Sequence, residues 1–166
     1  MKNILFALAL LISFISFGQT ADEYFDSGYD KAEAKDYYGA IADYTKAIEI
    51  NPNDASAYYN RGNSKGNLKD YYGAISDYTR AIEINPNDAR AYYNRGTSKD
   101  ALKDYYGAIS DYTRAIELDP NKVNAYYNRS LSKGSLGDFN GACADLKKAA
   151  ELGDTEAAEL VAKDCN

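Results

Sequence analysis

One unit recurs along this chain at a fixed step, and that step limits the folds available to it. The segment Tyr58-Tyr59-Asn60-Arg61-Gly62 returns as Tyr92-Tyr93-Asn94-Arg95-Gly96 and again as Tyr126-Tyr127-Asn128-Arg129-Ser130, 34 residues apart each time. The same step joins Asp36-Tyr37-Tyr38-Gly39-Ala40-Ile41 to the runs that start at Asp70 and Asp104, with a looser copy from Asp138. Between residues 55–88 and 89–122, 27 of 34 positions are identical, so the copies must adopt one local structure. A unit this short cannot bury its own apolar face, and stacking against its neighbours is the way to cover it.

Inside a unit the apolar spacing is helical. Ala74, Ile75, Tyr78, Ala81 and Ile82 mark one face of a helix, and Tyr58, Gly62 and Leu68 line the segment before it. Asp70 stands where an N-cap belongs, and Pro86 ends the helix just after Ile84. The Asn-Pro-Asn-Asp run at 85–88 makes the turn to the next unit. Each unit therefore reads as a helix pair, with Gly62 expected against Ala74 for close approach and Tyr58 and Tyr78 at the flanks. Tyr71 and Tyr105 are assigned to the same packing.

These marks resemble the tetratricopeptide repeat family: Tyr58, Gly62, Ala74, Tyr78, Ala81 and Pro86, with equivalents at Tyr24, Gly28, Ala40, Tyr44, Ala47 and Pro52 and at Tyr92, Gly96, Ala108, Tyr112, Ala115 and Pro120. The resemblance covers residues 21–154. It implies an all-α, right-handed α-solenoid of about four helix-turn-helix units, at 21–54, 55–88, 89–122 and 123–154, followed by a capping helix within 155–166. The fourth unit departs from the pattern, with Ser130 for Gly, Leu146 for Tyr and Gly153-Asp154 for Asn-Pro, which suits a solenoid terminus. Lys31, Lys65, Lys99 and Lys133 stand where the family more often has an aromatic residue.

Composition removes most chemistry. The 166 residues include no histidine and no tryptophan, and two cysteines near the end, so histidine triads, histidine metal sites and cysteine clusters have no residues to form from. No nucleophile has a base placed beside it by the sequence, and neither an enzyme nor a cofactor is expected. A balance of 19 basic against 25 acidic side chains argues against nucleic acid as a partner.

Two charged series also repeat: Arg61, Arg95 and Arg129, and Asp43, Asp77, Asp111 and Asp145. They read as salt bridges between neighbouring helices, with a basic ligand site as the alternative. Each arginine has a lysine four residues on, which on an isolated helix is a like-charge pair.

The first helix of each unit presents a second stripe. Ser56, Tyr59, Asn60 and Asn63 become Arg90, Tyr93, Asn94 and Thr97, then Asn124, Tyr127, Asn128 and Leu131. First helices line the concave groove in the family, so the resemblance places this stripe against a ligand. Asparagine is a poor helix former, yet it recurs at one position. An amide can pair with the backbone of an extended peptide, and tyrosine adds contact area at low entropy cost. Duplication of a structural asparagine is the alternative. Phe25 and Tyr59 occupy the places of the lysines that clamp a C-terminal carboxylate in some members, so that activity is not expected here.

Residues 1–18 read as a signal peptide, with Lys2, an apolar run from Ile4 to Phe17, and Ser16-Phe17-Gly18 ahead of Gln19. The run is shorter than the roughly 20 residues a spanning helix needs, and an uncleaved anchor is the alternative. Export, to the periplasm or beyond the cell, would leave no membrane insertion and would permit a disulfide. Cys143 and Cys165 lie symmetrically about Asp154, the centre of the last turn, and antiparallel helices would bring them side by side. The expected function is a scaffold holding a protein or peptide in the groove. An architectural protein that self-associates through its ends is the alternative.

Overall fold

A computed structural model describes residues 19–165, all of whose regular structure is helical. The leader expected at 1–18 lies outside the described residues. Four helix pairs follow in order: α1 (Ala21–Glu33) with α2 (Tyr37–Ile50), α3 (Ala55–Asn67) with α4 (Tyr71–Ile84), α5 (Ala89–Ala101) with α6 (Tyr105–Leu118), and α7 (Val123–Ser135) with α8 (Phe139–Glu151). A short α9 (Thr155–Asp164) closes the array. Each helix packs on the next, and each first helix also touches the first helix of the following pair, so the chain is an α-solenoid with α1, α3, α5 and α7 along one side. No described helix is long and apolar enough to cross a membrane.

The repeated sequence shows why the pairs form. Asp36, Asp70, Asp104 and Asp138 cap the second helices, each accepting a hydrogen bond from the amide of a glycine three residues on, at 2.9 to 3.0 Å. A Cβ on Gly73 would stand 2.1 Å from the Asp70 carboxylate, so the glycine leaves room for the cap in its observed position. The turn before each cap ends on a residue with positive φ: Lys35, Lys69 and Lys103 near 62°, then Gly137.

Packing within a pair differs in one detail from the sequence expectation. Gly62 meets the ring of Tyr78: a Cβ there would approach Tyr78 Cε1 to 2.8 Å. Ala74 is fully buried but is not the nearest partner. The physical reason is ring size, since a buried tyrosine on the second helix fills the space over the glycine. In the last pair both partners change together, as Ser130 and Leu146 border one cleft. The α9 helix covers this end with Ala157, Leu160 and Val161 against Leu146 and Ala149. Cys143 and Cys165 are joined by a disulfide as expected, with 5.5 Å between their Cα atoms.

Candidate functional site: the concave groove

A buried aspartate recurs in each of the four helix pairs: Asp43, Asp77, Asp111 and Asp145. Asp77, 3% exposed, receives Nε and Nη2 of Arg61 at 2.9 and 2.7 Å and Nζ of Lys65 at 2.8 Å. The remaining terminal nitrogen, Nη1 of Arg61, donates to Thr45 Oγ1 on the preceding α2 at 3.0 Å. One guanidinium thus ties three helices from two repeats. Arg95 repeats this with Asp111 and Thr79, and Arg129 with Asp145 and Thr113. In the first repeat Ser27 stands where the later repeats have the arginine, and there Ser27 and Lys31 serve Asp43. Burial would raise the Asp43 pKa, but the hydrogen bonds from Lys31 and Ser27 and the nearby lysine charges outweigh it and hold the carboxyl below its ordinary value. The arginine–lysine pairs that looked repulsive in sequence therefore converge on one shared anion. The signal was present in the spacing, but the partner sits on another helix 16 residues from the arginine.

The stripe on the first helices makes contacts of its own. Tyr59 packs tilted against Tyr78, ring centroids 5.9 Å apart, and Tyr93 against Tyr112 at 5.8 Å. Asn94 Nδ2 donates to Tyr59 Oη at 3.1 Å and to Asn63 Oδ1 at 2.9 Å, while Asn128 Nδ2 donates to Tyr93 Oη at 2.9 Å. Asn63 Oδ1 also accepts from Tyr78 Oη at 2.8 Å. The N–H groups of Asn94 and Asn128 thus link successive repeats, because each lies beside the tyrosine of the repeat before it, which gives these asparagines a structural role whether or not they also meet a ligand. Tyr127, whose neighbour on the far side is α9, donates instead to Glu156 at 2.6 Å, which together with burial pushes its pKa up to about 12.

Arg90 is also less available than its position suggested. Its guanidinium holds both oxygens of Asp88 at 2.8 to 3.0 Å and covers the Tyr59 ring at 5.0 Å. Lys122 sits similarly over Tyr93. Asn60, Asn63 and Asn94 line a cavity of about 490 Å³ that opens across the first three repeats. Tyr71, read from the sequence as core packing, forms part of its wall, and so does Tyr37. Tyr29, which stands in the first repeat where Asn63 stands in the second, and Glu33 also line it. A second cleft of about 490 Å³ lies at the other end, beside the disulfide, among Leu131, Phe139, Leu146 and Leu160. Among the described residues no group of acidic or cysteine side chains is arranged to hold a metal.

Family models agree with this architecture along almost the whole array. Tetratricopeptide repeat models match residues 55–88, 89–122 and 123–155, and a TPR repeat model matches 21–69. The chain belongs to the tetratricopeptide repeat family. Among solved structures it is similar to the crystal structure of MamA, with a TM-score of 0.79 and 26% identity over 83% of this chain and 81% of that one. It is similar also to the first TPR of Spaghetti (RPAP3) bound to the HSP90 peptide SRMEEVD, with a TM-score of 0.70 and 29% identity over 72% and 94% of the two chains. A third similar structure is the Arabidopsis OM64 TPR domain, at 0.67 and 27% over 69% and 94%. No curated protein sequence matches the chain significantly.

Proposed function

We propose that the protein is a non-enzymatic scaffold that holds an extended segment of a partner polypeptide in its concave groove. The observation that carries this reading is the cavity of about 490 Å³, framed by first and second helices and lined by side chains able to pair with a peptide backbone. Asn60 offers a donor and an acceptor there, and the half-buried tyrosines offer rigid area. The likeness to the first TPR of Spaghetti, solved with a peptide, supports the same use of the fold. Export is part of the proposal, supported by the pattern of residues 1–18 and by the Cys143–Cys165 bond, which suits an oxidising compartment.

End-to-end stacking is the weaker reading because both ends expose acid. Asp22, Asp26 and Asp30 are exposed on α1, and Glu156, Glu159 and Asp164 on α9, so like charges would meet. The test is site-specific photocrosslinking in the producing cell, with a benzophenone side chain at position 60 in the groove or at position 76 on the exposed side of α4. Adducts with a partner at 60 and none at 76 are expected. Equal adducts at both, or a concentration-dependent multimer in light scattering, would overturn the groove reading.

A further inference from the structure

The repeats are not equivalent, and the first differs from the others at residues that line the cavity. In the second and third repeats the buried tyrosine of the second helix satisfies its hydroxyl from the first helix of its own pair: Tyr78 Oη donates to Asn63 and Tyr112 Oη to Thr97. In the first repeat that position is Tyr29, and Tyr44 Oη has no hydrogen-bond partner among the described residues. Tyr44 is 1% exposed, and it forms part of the cavity lining. Its ring is packed in the core and its hydroxyl is left for whatever enters.

The other lining groups define what that is. Four more tyrosines, at 29, 37, 71 and 78, border the space, and the only ionisable side chain besides the tyrosines is Glu33. Glu33 makes no ion pair among the described residues, and in the second repeat its position is the neutral Asn67. No lysine or arginine lines the cavity. The charge of Glu33 and the burial of Tyr44 act in one direction, and the Tyr44 pKa is pushed up to about 12, chiefly by burial.

We infer that this cavity is a pocket for a cationic side chain, the lysine or arginine of the bound polypeptide. The ammonium or guanidinium would donate to Tyr44 Oη and pair with the Glu33 carboxylate while its stem lies among the tyrosine rings, whose faces attract a cation. A carboxylate in the same place would meet Glu33 and no cation. The inference rests on the groove reading above, and adds the chemistry of one anchoring residue.

The test uses fluorescein-labelled random nonapeptide pools, each with Lys, Arg, norleucine, Gln or Glu fixed at the centre, titrated into the purified protein by anisotropy. The Lys and Arg pools are expected to bind about fivefold more tightly than the norleucine pool or better, with the Glu pool weakest. Glu33→Gln, at an exposed position, is expected to remove most of that preference, and Tyr44→Phe to reduce it while keeping the ring; circular dichroism checks that both stay helical. Binding that blocks crosslinking at position 60 yet ignores the central charge would overturn the cationic pocket and leave the groove intact. Binding that leaves crosslinking at 60 unchanged, or no binding by any pool, would overturn both.

Discussion

At the scale of single residues, the aspartate row sets what the repeats can tolerate. Asp77 is 4% exposed on its side chain and answers two cations, so Asp77→Ala would leave Arg61 and Lys65 largely buried with no anion. The expected loss is about 3 to 5 kcal/mol, read by urea unfolding, and Arg61→Met in the same background should restore part of it. Asn94 is a milder case. Asn94→Ala removes two hydrogen bonds between repeats and should cost about 1 to 3 kcal/mol, since Tyr59 and Asn63 lose a donor at a half-buried site. An unchanged midpoint would mean that water replaces the amide at no cost. The ligand role read for this asparagine from sequence therefore has to be separated from its structural one by measuring both.

At the scale of the helix, the turns carry their own signature. Lys69 has φ of 62°, a left-handed conformation that costs an L-residue about 1 kcal/mol or more. The fourth repeat places Gly137 at the equivalent position, which shows the substitution the geometry prefers. Lys69→Gly should raise stability by roughly 0.5 to 1 kcal/mol, after the larger entropy of a glycine in the unfolded chain is offset. Thermal denaturation of the single variant decides it, and a lowered midpoint would show that Lys69 makes a contribution beyond its backbone.

At the scale of the whole array, the ends and the tyrosine core set the conditions for folding. The disulfide closes a loop of 22 residues that ties α9 to α8, a constraint of about 3 kcal/mol. Reduction should speed hydrogen exchange in α9 first and leave α3 to α6 protected, because contacts pass only between neighbours. The tyrosines govern the alkaline limit. Burial holds the Tyr44 pKa at about 12 and those of Tyr78 and Tyr112 higher, while the unfolded chain ionises its tyrosines near pH 10. Raised folded values mean that this stability is complete below the unfolded pKa and is lost as pH rises through the folded values. A cooperative loss of helicity above about pH 10, with late phenolate absorbance appearing together with it, is the expected outcome. Tyrosines that all ionise before the helicity falls would contradict the burial.

The 34-residue step, the helical spacing around Tyr78 and the Asp70 cap made the solenoid legible without coordinates, because in a repeat array nearly every contact is local and is copied. Pairings across helices were not legible in the same way. Arg61 and Asp77 recur at the same interval as every other marked residue, so recurrence alone could not say which cation meets which anion, nor that Lys65 joins them. The asparagine stripe was visible as a stripe, but only the stacking distance between repeats decided that Asn94 spends its donors on Tyr59 and Asn63. Least legible was the cavity around Tyr44, since it arises where the first repeat differs from the others. Repetition in the sequence carries what is shared among copies, whereas an unfilled hydroxyl and an unpaired carboxylate become a site only when α1 packs on α2 and the next repeats supply the remaining walls.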